Sequence, residues 1–158
     1  MASIIESIEV QVSARTAYDQ WTQFEQFPQF MKGVERVTQI DDHTLRWRAE
    51  VGGKTLEWDA RIAEQIPGKR IAWTSTSGAR NAGVVTFHRL SDHRCRVTLQ
   101  VDYEPDGLAE HVGDLLGVLS SRAKGDLEAF QEFIERRGAA TGAWRGSIPS
   151  PDDDTRRG

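Results

Sequence analysis

Residues 44–60 read TLRWRAEVGGKTLEWDA, two runs of alternating polar and apolar residues around a pair of glycines. Alternation with a period of two is typical of a strand with one buried face, and Gly-Gly between two such runs indicates a β-hairpin. A two-residue turn at 52–53 pairs Val51 with Lys54 and sets the register of both strands. That register aligns charges on one face and apolar side chains on the other: Arg48 with Glu57, Arg46 with Asp59, Trp47 with Trp58 and Leu45 with Ala60. Cross-strand pairing favours this arrangement.

The same period extends on both sides of the hairpin. It predicts seven strands, at about 4–12, 33–41, 44–51, 54–66, 69–76, 82–90 and 94–104. After the first strand, every connection between consecutive strands is short and rich in Gly, Pro, Asp, Asn or Ser. Short connections make antiparallel hairpins, because a parallel return needs a longer crossover. The sequence therefore predicts one antiparallel sheet with a polar face and a very apolar face.

Helical patterns flank the strands. Ser13 is a good N-cap for a helix at 14–24, and Pro28 suits the first turn of a second short helix that carries Phe27, Phe30 and Met31. A long helix is predicted at 107–137, where apolar residues recur at helical spacing: Leu108, Val112, Leu115, Leu119, Ala123, Leu127, Phe130 and Ile134. This helix is the expected cover for the apolar face of the sheet.

The chain divides into one domain, residues 1–138, and a tail, residues 139–158. Arg136, Arg137 and Gly138 are helix-ending signals. The tail is rich in Gly, Pro, Ser and charged residues, so we expect it to be disordered or loosely draped.

Composition excludes several classes of protein. With 158 residues, 38% hydrophobic and 28% charged, the chain suits one water-soluble globular domain. The net charge of −4 gives no electrostatic reason to expect a nucleic-acid partner. Cys95 is the only cysteine, and neither a signal peptide nor an apolar stretch long enough to cross a membrane is visible. We expect a cytoplasmic protein without stable membrane insertion; the oligomeric state is left open.

The predicted order is a strand, two short helices, six antiparallel strands and one long helix, which is the order of the helix-grip fold. From about Ile4 to Arg137 the chain resembles the polyketide cyclase/dehydrase branch of the START and Bet v 1-like (SRPBCC) superfamily, which includes coenzyme-Q-binding relatives. The residues that carry the resemblance are 27–31 (FPQFM), 58–60 (WDA), 67–73 (PGKRIAW), 83–87 (GVVTF) and 126–130 (DLEAF).

The resemblance implies the fold, an α+β domain whose curved sheet wraps a long C-terminal helix. It implies little about the reaction, because the family includes cyclases as well as lipid and quinone carriers. Cyclases of the family use pocket arginines and aromatic hydroxyls to orient a polyketide chain. Here Arg46, Arg48 and Arg61 fall on the polar face by parity, so no catalytic residue is carried over.

A curved sheet and a straight helix do not touch along their whole length, so we expect a hollow between them. The helix carries Gly113, Gly117 and Gly125, which we interpret as a need for room or for a bend. The residues predicted to contact a ligand in this hollow are Trp47, Trp58, Trp73, Ser75, Phe87, Leu99, Tyr103, Leu115, Leu119 and Arg122. Ordinary core packing is the competing interpretation for each aromatic member.

The polar candidates have competing interpretations too. Arg122 is either a ligand anchor or a side chain at the rim that interacts with Asp126. Tyr103 is a donor to a ligand oxygen or to the backbone, and residues 80–81 either border the mouth or are turn residues. The four histidines, at 43, 88, 93 and 111, match no metal motif, so no metal and no cofactor are expected.

Three functions follow from this pattern. The leading hypothesis is a protein that binds a small hydrophobic molecule, such as a lipid, a quinone or a polyketide-like compound. The second is a polyketide aromatase/cyclase or dehydrase, with acid–base help from Tyr103 or Arg122. The third is an interaction module with a closed core.

Overall fold

A computed structural model of the chain describes residues 2–51, 53–78, 80–104, 112–144 and 146–148. In chain order the elements are β1 (Ala2–Val10), α1 (Ala14–Trp21), a 3₁₀ helix (Phe24–Gln29), β2 (Val34–Gln39), β3 (Thr44–Val51), β4 (Lys54–Ile66), β5 (Arg70–Gly78), β6 (Arg80–Ser91), β7 (Arg94–Glu104) and α2 (Val112–Arg137). The predicted element order is confirmed. The part of the long helix predicted before Val112 lies outside the described residues.

All seven strands form one antiparallel sheet in the order β1-β7-β6-β5-β4-β3-β2. The register predicted for the β3–β4 hairpin is confirmed throughout, with Trp47 opposite Trp58 and Arg46 opposite Asp59. Strand β1 ends at Val10 rather than at residue 12. The last pair with its partner β7 is Val10–Cys95, and only Arg94, the first residue of β7, lies beyond it.

The helices after β1 place bulky side chains at one end of the sheet. Ser13 caps α1 as predicted, since its Oγ accepts a hydrogen bond of 3.0 Å from the backbone N–H of Thr16. The second short helix is a 3₁₀ helix that already begins at Phe24 and contains Pro28. Pro28 has no N–H to donate to a helical hydrogen bond of either kind, which fits a short helical segment.

Helix α2 covers the apolar face of the sheet. Its C-terminal half is fully packed: Leu127, Phe130 and Ile134 are almost completely buried in the core. The helix ends as predicted, because Gly138 adopts a φ of +71° and its N–H donates to the carbonyl of Ile134 at 2.8 Å. In glycine this left-handed conformation costs little.

The tail differs from the expectation of disorder over the residues that are described, 139–144 and 146–148. Ile148 is buried and exchanges two backbone hydrogen bonds, of 2.7 and 2.8 Å, with Gln65 at the end of β4. Thr141 bonds to the buried side chain of Gln20 through both its N–H and its hydroxyl. The polar composition of the tail did not predict this docking. Two apolar residues, Trp144 and Ile148, and a few hydrogen bonds are enough to hold the segment.

Candidate functional site

A cavity of about 180 Å³, the inner cavity, lies between the sheet and residues 119–126 of α2. Apolar side chains make most of its wall: Ile4, Trp21, Phe24, Phe27, Met31, Val34, Leu45, Trp47, Ala49, Leu56, Trp58, Ile62, Ile71, Trp73, Leu99, Val101, Leu119 and Ala123. The polar wall residues are Glu50, Asn81, Tyr103, Arg122 and Asp126, with Gly33 beside them. The predicted hollow between the sheet and the helix therefore exists.

Seven of the predicted ligand-contacting residues line the inner cavity: Trp47, Trp58, Trp73, Leu99, Tyr103, Leu119 and Arg122. Whether they contact a ligand stays a prediction. The side chain of Leu115 lies outside the described part of the chain, so its predicted place in the wall is not described.

Phe87 and Ser75 are the two predicted residues that the structure places elsewhere. Phe87 packs edge-on against Tyr18 of α1, with ring centroids 5.5 Å apart, and it is buried in solid core. Ser75 lies next to a register shift in the β4–β5 ladder, and its Oγ accepts a hydrogen bond of 3.0 Å from the N–H of Asn81. Strand parity predicts the face that a residue takes. It did not predict that α1 packs on Phe87 or that the β4–β5 register shifts beside Ser75.

Two tryptophans form a flat section of the cavity wall. The rings of Trp47 and Trp58 stack with centroids 5.6 Å apart and planes 6° apart. Their indole nitrogens are buried and have no hydrogen-bond partner among the described residues. Buried donors without a partner are uncommon because each one costs free energy. An acceptor atom on a bound molecule would satisfy such a donor after a small movement of the ring.

Trp73, on the central strand β5, is held at a second section of the wall. Its indole N–H donates to Oδ1 of Asn81 at 3.1 Å. Asn81 is paired across the β6–β7 ladder with Tyr103, so three polar groups meet in this part of an otherwise apolar wall. Asn81 was predicted as a possible mouth residue and does line the cavity; Arg80, its neighbour, is exposed.

A charged section of the wall lies where α2 passes the β2–β3 edge of the sheet. The Arg122 guanidinium packs directly on Gly33: a Cβ atom at residue 33 would be 1.9 Å from Nη1. Burial raises the pKa of Asp126 to about 7, although the charge of Arg122 and a hydrogen bond from the Lys32 N–H both lower it. Sequence analysis placed Arg122 here but missed Gly33 and the perturbed Asp126. The helical spacing of Asp126 from Arg122 was the available signal.

The remaining candidates lie away from the cavity. Arg46 and Arg48 are on the outer face, where Arg46 pairs with Asp59 at 3.0 Å and Arg48 with Glu35 at 2.7 Å, and Arg61 is exposed as well. Burial raises the pKa of the Cys95 thiol to about 11, which makes it a poor nucleophile. The three histidines at 43, 88 and 93 are exposed, and residue 111 lies outside the described residues.

Helix α2 has two exposed glycines that do not serve the cavity. Gly117 and Gly125 lie on its outer side, and a Cβ atom at either would meet nothing within 4 Å. The interpretation that these two glycines make room for the hollow is therefore wrong.

The chain as a whole is similar to known proteins. Residues 10–132 match the model of a family described as polyketide cyclase / dehydrase and lipid transport. The chain belongs to that family. The predicted resemblance and the helix-grip fold are thereby confirmed.

Individual known proteins are similar over most of the chain. An uncharacterized 17.2 kDa protein of Streptomyces lincolnensis, from the melC2-rnhH intergenic region, is 55% identical over 149 residues, which cover 94% of this chain and 99% of that protein. The crystal structure of the Zhui aromatase/cyclase from Streptomyces sp. R1128 has a TM-score of 0.75 at 17% identity, covering 90% and 99% of the two chains. A START superfamily protein of Mycobacterium smegmatis has a TM-score of 0.62 at 18% identity, covering 80% and 97%. The two solved structures support the fold alone.

Among the residues that the structure describes, no three His, Cys, Asp or Glu side chains are grouped in a way that would hold a metal ion. Within the same described ranges, no helix combines the length and the apolar character needed to span a bilayer.

Proposed function

We propose that this protein binds a small hydrophobic molecule, such as a lipid, a quinone or a polyketide-like compound, in the inner cavity. The observation that carries the proposal is the wall itself, in which stacked and tilted indole rings and aliphatic side chains surround a real void. Apolar cavities of this kind bind through burial of apolar surface, at about 25 cal/mol per Å² removed from water. A few polar wall groups then fix the orientation of the ligand.

Native mass spectrometry of the freshly purified protein, followed by solvent extraction, tests this proposal. A co-purifying apolar compound is the expected result. Binding of a neutral apolar dye, measured by its fluorescence, provides the second readout. Ala49→Leu fills the inner cavity and should weaken dye binding by about tenfold or more.

Thr55→Leu is the matched control. It adds a similar volume to the same hairpin, but on the exposed outer face, so dye binding should not change. If neither an extracted compound nor dye binding is found, or if both variants bind dye alike, the proposal is wrong.

An enzyme that acts on a ligand in the same cavity is the second candidate. The observation that favours it is Asp126, whose pKa of about 7 suits proton transfer at neutral pH, next to Arg122 in the cavity wall. The family description and the Zhui aromatase/cyclase add support at the level of the fold. An aromatase/cyclase or dehydrase should give a different set of products from a polyketide-like substrate when Arg122 or Tyr103 is replaced. A pure carrier should leave the substrate unchanged.

The closed-core interaction module is the weakest of the three hypotheses. A closed core requires that Trp47, Trp73, Phe87 and Tyr103 fill the space between the helix and the sheet. Only Phe87 is in solid core; the other three line the inner cavity.

A further inference from the structure

The inner cavity is separated from a surface depression, the outer groove, by a thin wall. The residues that line both spaces are Gly33, Glu50, Arg122 and Asp126. The outer groove continues along α2 over Gly117, Ser121 and Gly125. Two spaces that share four wall residues act as one site as soon as the wall opens.

Arg122 is the movable part of this wall. Its guanidinium rests on the Cα of Gly33, and no carboxylate in the described ranges lies within ion-pair distance of it. Its charge interacts with Asp126, but no hydrogen bond is described for it, and arginine has many accessible rotamers, so the side chain can move. Removing the guanidinium from Gly33 would join the inner cavity to the outer groove.

The size of the inner cavity indicates that a ligand extends beyond it. Its 180 Å³ are below the roughly 300–1,000 Å³ of typical small-molecule sites. A planar group of one or two rings fits this volume. The rest of a larger molecule would reach the outer groove through the shared wall at Arg122.

Charge in the outer groove determines what that remainder can be. The charged residues that line the groove are Lys32, Glu50, Arg122, Asp126, Glu128 and Glu132. With Asp126 neutral, three carboxylates face two cations, and one of the three, Glu132, pairs with Arg136 outside the lining. The groove therefore has no excess of positive charge that would attract an anionic group. Carboxylate oxygens and the Ser121 hydroxyl accept hydrogen bonds, so groups that donate them are favoured.

We propose that the site is bipartite: a flat apolar part of the ligand occupies the inner cavity, and a non-anionic part rich in hydrogen-bond donors, such as a sugar, lies in the outer groove past Arg122. This inference rests on the proposed function, since it requires the inner cavity to bind a ligand. It adds the class of ligand, an amphipathic compound with a neutral polar end.

Three probes with one ring system test the proposal by isothermal titration calorimetry. They are 2-naphthol, its β-glucoside and its phosphate monoester. We expect 2-naphthol to bind, the glucoside to bind more tightly, and the phosphate to bind about tenfold more weakly than the glucoside or worse. Reversing two charges with Glu128→Lys and Glu132→Lys should shift this preference towards the phosphate.

Gly125→Leu places a side chain in the outer groove without touching the inner cavity. It should weaken binding of the glucoside by about tenfold and change the affinity for 2-naphthol by less than about twofold. The control is Lys124→Leu, at an exposed helix position outside the groove lining, which should leave the glucoside at its wild-type affinity.

The outcomes separate the two levels of the argument. If neither 2-naphthol nor the apolar dye binds and no compound is extracted, the proposed function fails and the bipartite site fails with it. If the dye binds but 2-naphthol does not, only the bipartite site is overturned. If 2-naphthol binds but the glucoside does not bind more tightly, if the phosphate binds as well as the glucoside, or if Gly125→Leu affects both probes equally, then only the bipartite site is overturned.

Discussion

The indole ring of Trp73 lies over the backbone of Gly83, so close that a Cβ atom at residue 83 would be 2.4 Å from ring carbon Cζ2. The two residues are direct partners across the β5–β6 ladder. A glycine inside a strand is unfavourable by itself, and here the absent side chain provides the space for a cavity-wall tryptophan.

Gly83→Ala should therefore destabilise the protein. The added methyl group would collide with Trp73 and also with the carbonyl of Gln100, 2.8 Å away, so ring and ladder both have to shift. Overpacking of this kind costs about 1–3 kcal/mol. The free energy of unfolding in urea and the near-ultraviolet circular dichroism of the tryptophans measure the effect. An unchanged spectrum with wild-type stability would contradict the contact.

Gly125→Ala should have the opposite effect. Nothing lies within 4 Å of its added Cβ, and alanine is the better helix former, so a gain of about 0.5–1 kcal/mol is expected from urea unfolding. Gly138→Ala is the matched control, because the φ of +71° at the end of α2 is strained for any side chain and the variant should lose stability. Equal effects of the two substitutions would refute the assignment of Gly125 to an open helix surface.

Asp126→Asn should change how stability depends on pH. The pKa of Asp126 is about 7 in the folded chain and near 3.8 when unfolded, so between these values the unfolded state releases a proton that the folded state keeps. Its contribution to stability is thus greatest below about pH 4, falls as the pH rises towards 7, and is constant above that. The total change is at most roughly 4 kcal/mol, at about 1.4 kcal/mol per pKa unit over about three units.

The measurement is the difference between wild type and Asp126→Asn in urea unfolding from pH 4.5 to pH 8. The asparagine variant should gain on the wild type as the pH rises, because it cannot ionise. Taking the difference cancels the other carboxylates, which titrate alike in both proteins. A difference that is independent of pH would show that Asp126 is not buried as described.

Ile148→Ala should weaken the docking of the tail. Ile148 is 7% exposed and completes the core beside β4, so truncation should cost about 2–3 kcal/mol in urea unfolding. Ile40→Ala is the control: its side chain is 50% exposed, and a change within about 0.5 kcal/mol is expected. A tail that is only loosely draped would give two small and similar values.

Much of the site could be predicted because its determinants are local. The Gly-Gly turn and the alternation around it set the register of the β3–β4 hairpin, so Trp47 and Trp58 could be placed side by side on the inner face. Helical spacing likewise placed Leu119 and Arg122 towards the sheet. These patterns depend only on residues close together in the chain, and backbone geometry converts them directly into faces.

Contacts between distant segments decided the rest. Strand parity assigns Phe87 and Trp73 to the same face, but α1 covers only Phe87, so one is core and the other borders a void. The raised pKa of Asp126, about 7, arises where α2 crosses the β2–β3 edge, and the contact of Gly33 with Arg122 lies at the same place. Periodicity reports which face a residue takes. Whether that face meets a side chain, a ligand-sized space or water depends on how the helices settle across the sheet, and only the packed chain determines that.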